Sequence, residues 1–190
     1  MSRFILSKTT LSLVMLFSGC GQGERAEAPP LEDLKARARA IHDSVITIDT
    51  HDDIGYDFAT PAVDPLNADR QVNLEKMRAG GLDAGFFIVF VGQTDRTPTN
   101  YEAAQEAAMT KFEAIHRMAE ELYPDQIEIA YSSSDVERIH DEGKLVAAIG
   151  IENGYVIGDD LALLERYHSL GARYMTLAHS GHNDIADSST

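Results

Sequence analysis

Residues 82–92, LDAGFFIVFVG, decide the fold. The stretch is apolar almost without interruption, where a strand with one wet face would alternate polar and apolar residues. A strand of this kind is covered on both sides, as in a parallel sheet flanked by helices. Residues 145–152, LVAAIGIE, repeat the pattern. Shorter strands are predicted at 45–50 (VITIDT), 127–130 (IEIA) and 172–179 (ARYMTLAH).

The intervals between these runs have helical spacing. Leu31, Leu34, Ala38 and Ile41 fall on one helical face. A short helix over Asn73–Ala79 stops at Gly80-Gly81. Thr99 with Glu102 forms a capping box for a long Ala-rich helix reaching about Leu122, and Ser134 with Glu137 forms another for a helix ending at Gly143. A last helix carries Leu161, Leu164 and Tyr167 and ends at Gly171. Strand–helix alternation of this regularity fits either a doubly wound sheet or a (β/α)8 barrel. No Gly-x-Gly-x-x-Gly follows a strand, which weakens the dinucleotide-binding version.

The polar residues gather where these strands end. Val45–Thr50 runs into His51-Asp52-Asp53. Residues two apart share a face of a strand, so His51 and Asp53 project together with Asp49 beneath them, and Asp52 points elsewhere. An imidazole and a carboxylate on one rigid strand make half of a metal site, or simply a polar strand-to-loop junction. Glu152 ends the third main run, where a carboxylate is costly to bury unless it is paired or holds a cation. Glycine at 154 would let backbone pass close to a bound group. His179 ends the last, with His182, Asn183, Asp184 and Asp187 behind it. His42, His116, His140 and His168 lie on helices among charged residues and read as surface groups. No His-Glu-x-x-His helix, Cys cluster or Gly-x-Ser-x-Gly elbow offers another chemistry.

Composition narrows the class. Of 190 residues, 16 are basic and 31 acidic, a net charge of −15, so no nucleic-acid partner is expected. The single cysteine, Cys20, follows a basic start, a short apolar run from Leu11 to Phe17, and Ser18-Gly19. That run is too short to span a bilayer, which takes about 20 residues. It reads as an export signal, and its end resembles the lipobox of bacterial lipoproteins. The implied organisation is a signal over 1–19, a lipidated Cys20 with a tether to residue 30, and a folded part over 31–190. The implied location is outside the cytoplasm, facing the periplasm or the exterior, with the membrane reached only through the lipid.

Three segments in this order, DTHDD, GIENGYVIG and RYMTLAHSGHNDIADSS, resemble the membrane (renal) dipeptidase family of zinc metallopeptidases. The resemblance runs from about Ile41 to the end of the chain. It implies the N-terminal portion of a (β/α)8 barrel, cut after its fourth main strand, with two zinc ions in the complete enzyme. It also implies hydrolysis of dipeptides by a metal-activated water. His51 and Asp53 match ligands of one zinc, Glu152 the carboxylate shared by both, and His179 the histidine that contacts substrate and steadies the oxyanion. The family's two later histidine ligands and its proton-transferring aspartate have no counterpart in these residues. Alone, the 190 residues are therefore expected to be inactive and to aggregate or form a homodimer. Two departures stand out: many relatives have Glu-Gly-Gly where this chain has Glu152-Asn153-Gly154, and His182 is an extra histidine. Rival readings are another metal-dependent amidohydrolase, acting on an N-acyl amino acid or a lactone, and a non-catalytic surface lipoprotein.

Overall fold

A computed structural model describes residues 30–189. The signal, Cys20 and nearly all of the tether lie outside the described residues. The elements run α1 (Leu31–His42), β1 (Ile48–Asp53), α2 (Leu74–Gly80), β2 (Ala84–Phe90), α3 (Pro98–His116), β3 (Ile127–Ile129), α4 (Ser133–Asp141), β4 (Leu145–Glu152), α5 (Ala162–Ser169) and β5 (Ala172–Met175). A π-helical turn, Arg117–Leu122, extends α3 to the predicted end, and a 3₁₀ turn, Gly154–Ile157, follows β4. All strand pairs are parallel. β2 lies between β1 and β4, while β3 pairs with the first half of β4 and β5 with its second half on the same side. This is the α/β arrangement of a barrel portion. Among the described residues, no strand pairs the outer edges of β1 and β5.

One face of the sheet is the helix-covered core. Phe87, Val89, Ala147, Ile149 and Ile151 pack with Ala104, Ala108, Phe112 and Ile115 of α3. Phe112 and Ile115 are fully buried, and each such side chain is worth about 1.5–3 kcal/mol of transfer free energy. The opposite face carries Phe86, Ile88 and Phe90 beside Ala148, Gly150 and Glu152. In a closed barrel this face is the interior. Tyr174 of β5 lies across it: its ring packs tilted against Phe86 with centroids 5.0 Å apart and its hydroxyl donates to the Thr50 carbonyl at 2.8 Å. Gly150 leaves the space, since a Cβ there would sit 2.4 Å from Tyr174 Cζ.

Several boundaries differ from those expected, each for a local reason. β1 is Ile48–Asp53 rather than 45–50, because the ladder follows its partner: Ile48 pairs with Ala84 and Asp53 with Ile88. Val45 and Ile46 stay outside it and exposed. α3 is capped by Thr97, which accepts from the Asn100 N–H, and Pro98 supplies its first position; Thr99 lies inside the helix. Ser132, not Ser134, caps α4 by accepting from the Asp135 N–H. β5 ends at Met175 because the next residues turn onto the exit of β4, where Asn153 N–H donates to Thr176 Oγ1.

Candidate metal centre

The C-terminal ends of β1, β2 and β4 meet at one rim. Between Asp49 and Asp52 the β1 register slips: three steps on β1 match two on β2, from Gly85 to Phe87. The extra residue is a bulge, and bulges re-aim side chains beside functional sites. Across it, His51 and Asp53 come to share a face, as expected from the sequence. Asp49 does not lie beneath them; its pairing with Gly85 puts it in line with Asp52, and its Oδ1 accepts from the His51 N–H at 3.0 Å. Asp52 points into the core and is only 5% exposed.

Glu152 closes the arrangement. Its Oε2 is 3.2 Å from His51 Nε2 and its Oε1 is 3.4 Å from His179 Nε2, while Asp53 Oδ1 is 3.7 Å from His51 Nε2. Charge-assisted hydrogen bonds are shorter, about 2.7–2.9 Å. One donor atom each from His51, Asp53 and Glu152 falls within 4.8 Å of the others. One imidazole and two carboxylates are a donor set suited to a divalent cation such as zinc. A cation also answers the electrostatics, since Asp53 and Glu152 bring like charges together with one imidazole between them. His179 stands beside this trio, its Nδ1 2.8 Å from Ser180 Oγ and its ring 5.2 Å from that of Phe90. The four residues singled out in the sequence are therefore brought together.

Other expectations need correction. Gly154 does not make room for a bound group: a Cβ there would meet Ile185 Cδ1 at 2.4 Å and the Leu177 carbonyl at 3.0 Å. His182 faces its own loop, accepting from the Ser188 N–H, and does not join the trio. His116 is no simple surface group; it is half-buried, with Nε2 2.9 Å from the Leu170 carbonyl and Nδ1 2.7 Å from Glu120.

Two residues near the centre were not singled out. Lys111 of α3 is 4% exposed, donates to the Ile54 carbonyl at 2.6 Å, and lies 4.9 Å from the centre of the Tyr56 ring. Burial pushes its ammonium pKa down, while the negative charges of Asp53 and Glu152 pull it back up. It follows Ala104 and Ala108 on the buried stripe of α3 and precedes Ile115, so its helical position was the available signal. Asn183 is buried behind the rim, donating to the Leu177 carbonyl and Asn153 Oδ1 and accepting from the N–H groups of Ile185 and Ala186. Nothing in its spacing marked it among the polar residues after His179.

Comparison with known proteins gives this rim a context. The family model for membrane dipeptidase (peptidase family M19) matches residues 35–190. Dipeptidase tcpJ of Claviceps purpurea is 32% identical over 123 residues, covering 63% of this chain and 29% of its own. Human dipeptidase 3 is 28% identical over 169 residues, covering 85% and 33%. The solved structure of the probable dipeptidase PvdM from Pseudomonas aeruginosa superposes with a TM-score of 0.76 at 26% identity, over 84% of this chain and 41% of that one. The chain thus spans about a third of the length of these curated relatives.

Proposed function

Because the chain belongs to the membrane dipeptidase family, peptidase family M19, we propose that it carries the first metal ligands of a zinc-dependent dipeptidase acting outside the cytoplasm. The observation that supports this reading best is the convergence of His51, Asp53 and Glu152 within 4.8 Å at the strand ends. His51 and Asp53 would hold a zinc, and Glu152 would supply a further carboxylate to the same metal centre. Bound there, zinc would act as a Lewis acid and bring the pKa of a water close to neutrality.

The protein's own groups do the positioning. The bulge in β1 turns His51 and Asp53 toward Glu152, and Lys111 holds the Ile54 carbonyl just beyond them. His179 sits outside the donor trio, beside Ser180, where its ring can donate to a substrate carbonyl oxygen as charge develops. Its role is toward substrate, a dipeptide, rather than toward metal. Cys20 carries a lipid that anchors the protein to a bacterial membrane. Among the described residues the outer edges of β1 and β5 carry no strand partner, and such edges favour aggregation or a homodimer.

Metal analysis after dialysis against zinc tests the assignment. Retention by the unaltered chain and loss in His51→Ala and Asp53→Ala is the expected result. Equal zinc content in all three would refute it. A panel of dipeptides and N-acyl amino acids, offered to a chain extended to its relatives' length, decides the substrate class. Hydrolysis confined to the acyl-amino acids would defeat the dipeptidase reading.

A further inference from the structure

A cleft of about 440 Å³ opens beside His179, lined by Phe90, Gln93, Asn153 and Ser180 among others. Two of its lining residues each carry a buried polar atom that has no partner among the described residues. Asn153 is 1% exposed, and its Oδ1 accepts from the Tyr155 N–H at 3.1 Å and from Asn183 Nδ2 at 3.0 Å. Those two donors fix which end of the carboxamide is oxygen. Its Nδ2 is then left buried without an acceptor. Gln93 is fixed likewise, because its Nε2 donates to the His182 carbonyl, and its buried Oε1 is left without a donor.

The backbone adds an independent sign. Asn153 has φ 79° and ψ 110°, outside the left-handed well that asparagine tolerates. A side chain held in such a conformation, next to Glu152 and with an unused donor, points to a role in the site. Buried polar groups are usually satisfied, and the exceptions often mark where a ligand completes the network.

We propose that Asn153 and Gln93 form a subsite that takes an amide: the side-chain Nδ2 of Asn153 donates to its oxygen and Gln93 Oε1 accepts from its nitrogen. The occupant is the side-chain carboxamide of a glutamine or asparagine residue in the substrate. This rests on the dipeptidase reading and adds a specificity to it. Since Gly-Leu and Gly-Gln share the same backbone peptide group, only a side-chain carboxamide distinguishes them.

The test is titration of the ¹⁵N-labelled, zinc-loaded 190-residue chain with glycyl-glutamine, glutaminyl-glycine, glycyl-leucine and leucyl-glycine. The side-chain amide signals of Asn153 and Gln93 are followed by NMR. A glutamine dipeptide should saturate these signals at about tenfold lower concentration than its leucine counterpart. In Asn153→Gly, and separately in Gln93→Met, the ratio should fall toward one. Gln93→Met leaves the Asn153 network intact, so a folding defect in the first variant does not decide the outcome. Equal affinities, no binding of any dipeptide, or a preference that survives both variants would overturn the subsite. The two readings fail separately: equal affinities with zinc bound defeat the subsite alone, and a glutamine preference without zinc uptake defeats the dipeptidase reading alone.

Discussion

Glu152 Oε2 lies 3.2 Å from His51 Nε2, and the other oxygen of the same carboxylate lies 3.4 Å from His179 Nε2. One side chain at the end of β4 thereby spans groups delivered by β1 and by the segment after β5. Glu152→Gln keeps the shape and removes the charge. Its affinity for zinc should drop at least about 100-fold, more than the loss caused by supporting groups around a metal. His179→Ala should leave zinc content unchanged. Isothermal titration with zinc distinguishes the two, and loss of zinc in His179→Ala would make that residue a ligand.

Lys111 should matter to stability. Truncation to alanine leaves the Ile54 carbonyl without its ammonium donor and opens a gap beneath Tyr56 and Phe90. The expected loss is about 2 kcal/mol or more, measured by urea unfolding. A change within 0.5 kcal/mol would show that the buried ammonium is not holding the β1 exit.

The hydroxyl of Tyr174 ties β5 to β1 through the Thr50 carbonyl, one residue before His51. Tyr174→Phe removes that bond alone and should cost about 1 kcal/mol. Hydrogen exchange at the amides of 50–53 should speed up in the variant if the bond steadies the bulge. Unchanged exchange there would assign the hydroxyl no part in placing His51.

Asp52 predicts a pH dependence. Burial, and then the charge of Asp49, push its pKa up to about 6. A carboxyl with a raised folded-state pKa binds its proton more tightly when folded, so its stabilising effect is full below the unfolded value of about 4. That effect fades as pH rises through 6. In chelator, the unaltered chain should therefore lose about 2–3 kcal/mol between pH 4 and 7 relative to Asp52→Asn. Parallel stability–pH curves for the two proteins would refute it.

Much of this was legible in the residues, and the parts that were not share a cause. β4 was readable to its ends because Leu145–Ile151 are all buried and Glu152 marks the rim. His51, Asp53 and Glu152 were readable because parallel strands put their C-terminal ends at one rim; His179 reaches the same rim from four residues beyond the end of β5, not from a strand end. The bounds of β1 were not, since a ladder is set by its partner's register and the bulge after Asp49 has no local signature. Lys111 was passed over because lysine usually lies on the wet face of a helix. Asn183 and Gln93 gain their roles from contacts with distant residues, Asn153 and the His182 carbonyl, which no spacing within one segment reveals.

The account stands most directly on whether the strand ends bind a metal. Titration of the chelator-treated 190-residue chain with Co²⁺, followed by its visible absorption, reads both occupancy and coordination. The predicted result is saturation near one ion per chain with an N/O-ligand spectrum, abolished together in His51→Ala, Asp53→Ala and Glu152→Gln. A spectrum unchanged by any of these three substitutions, or no cobalt uptake by the unaltered chain, would contradict it.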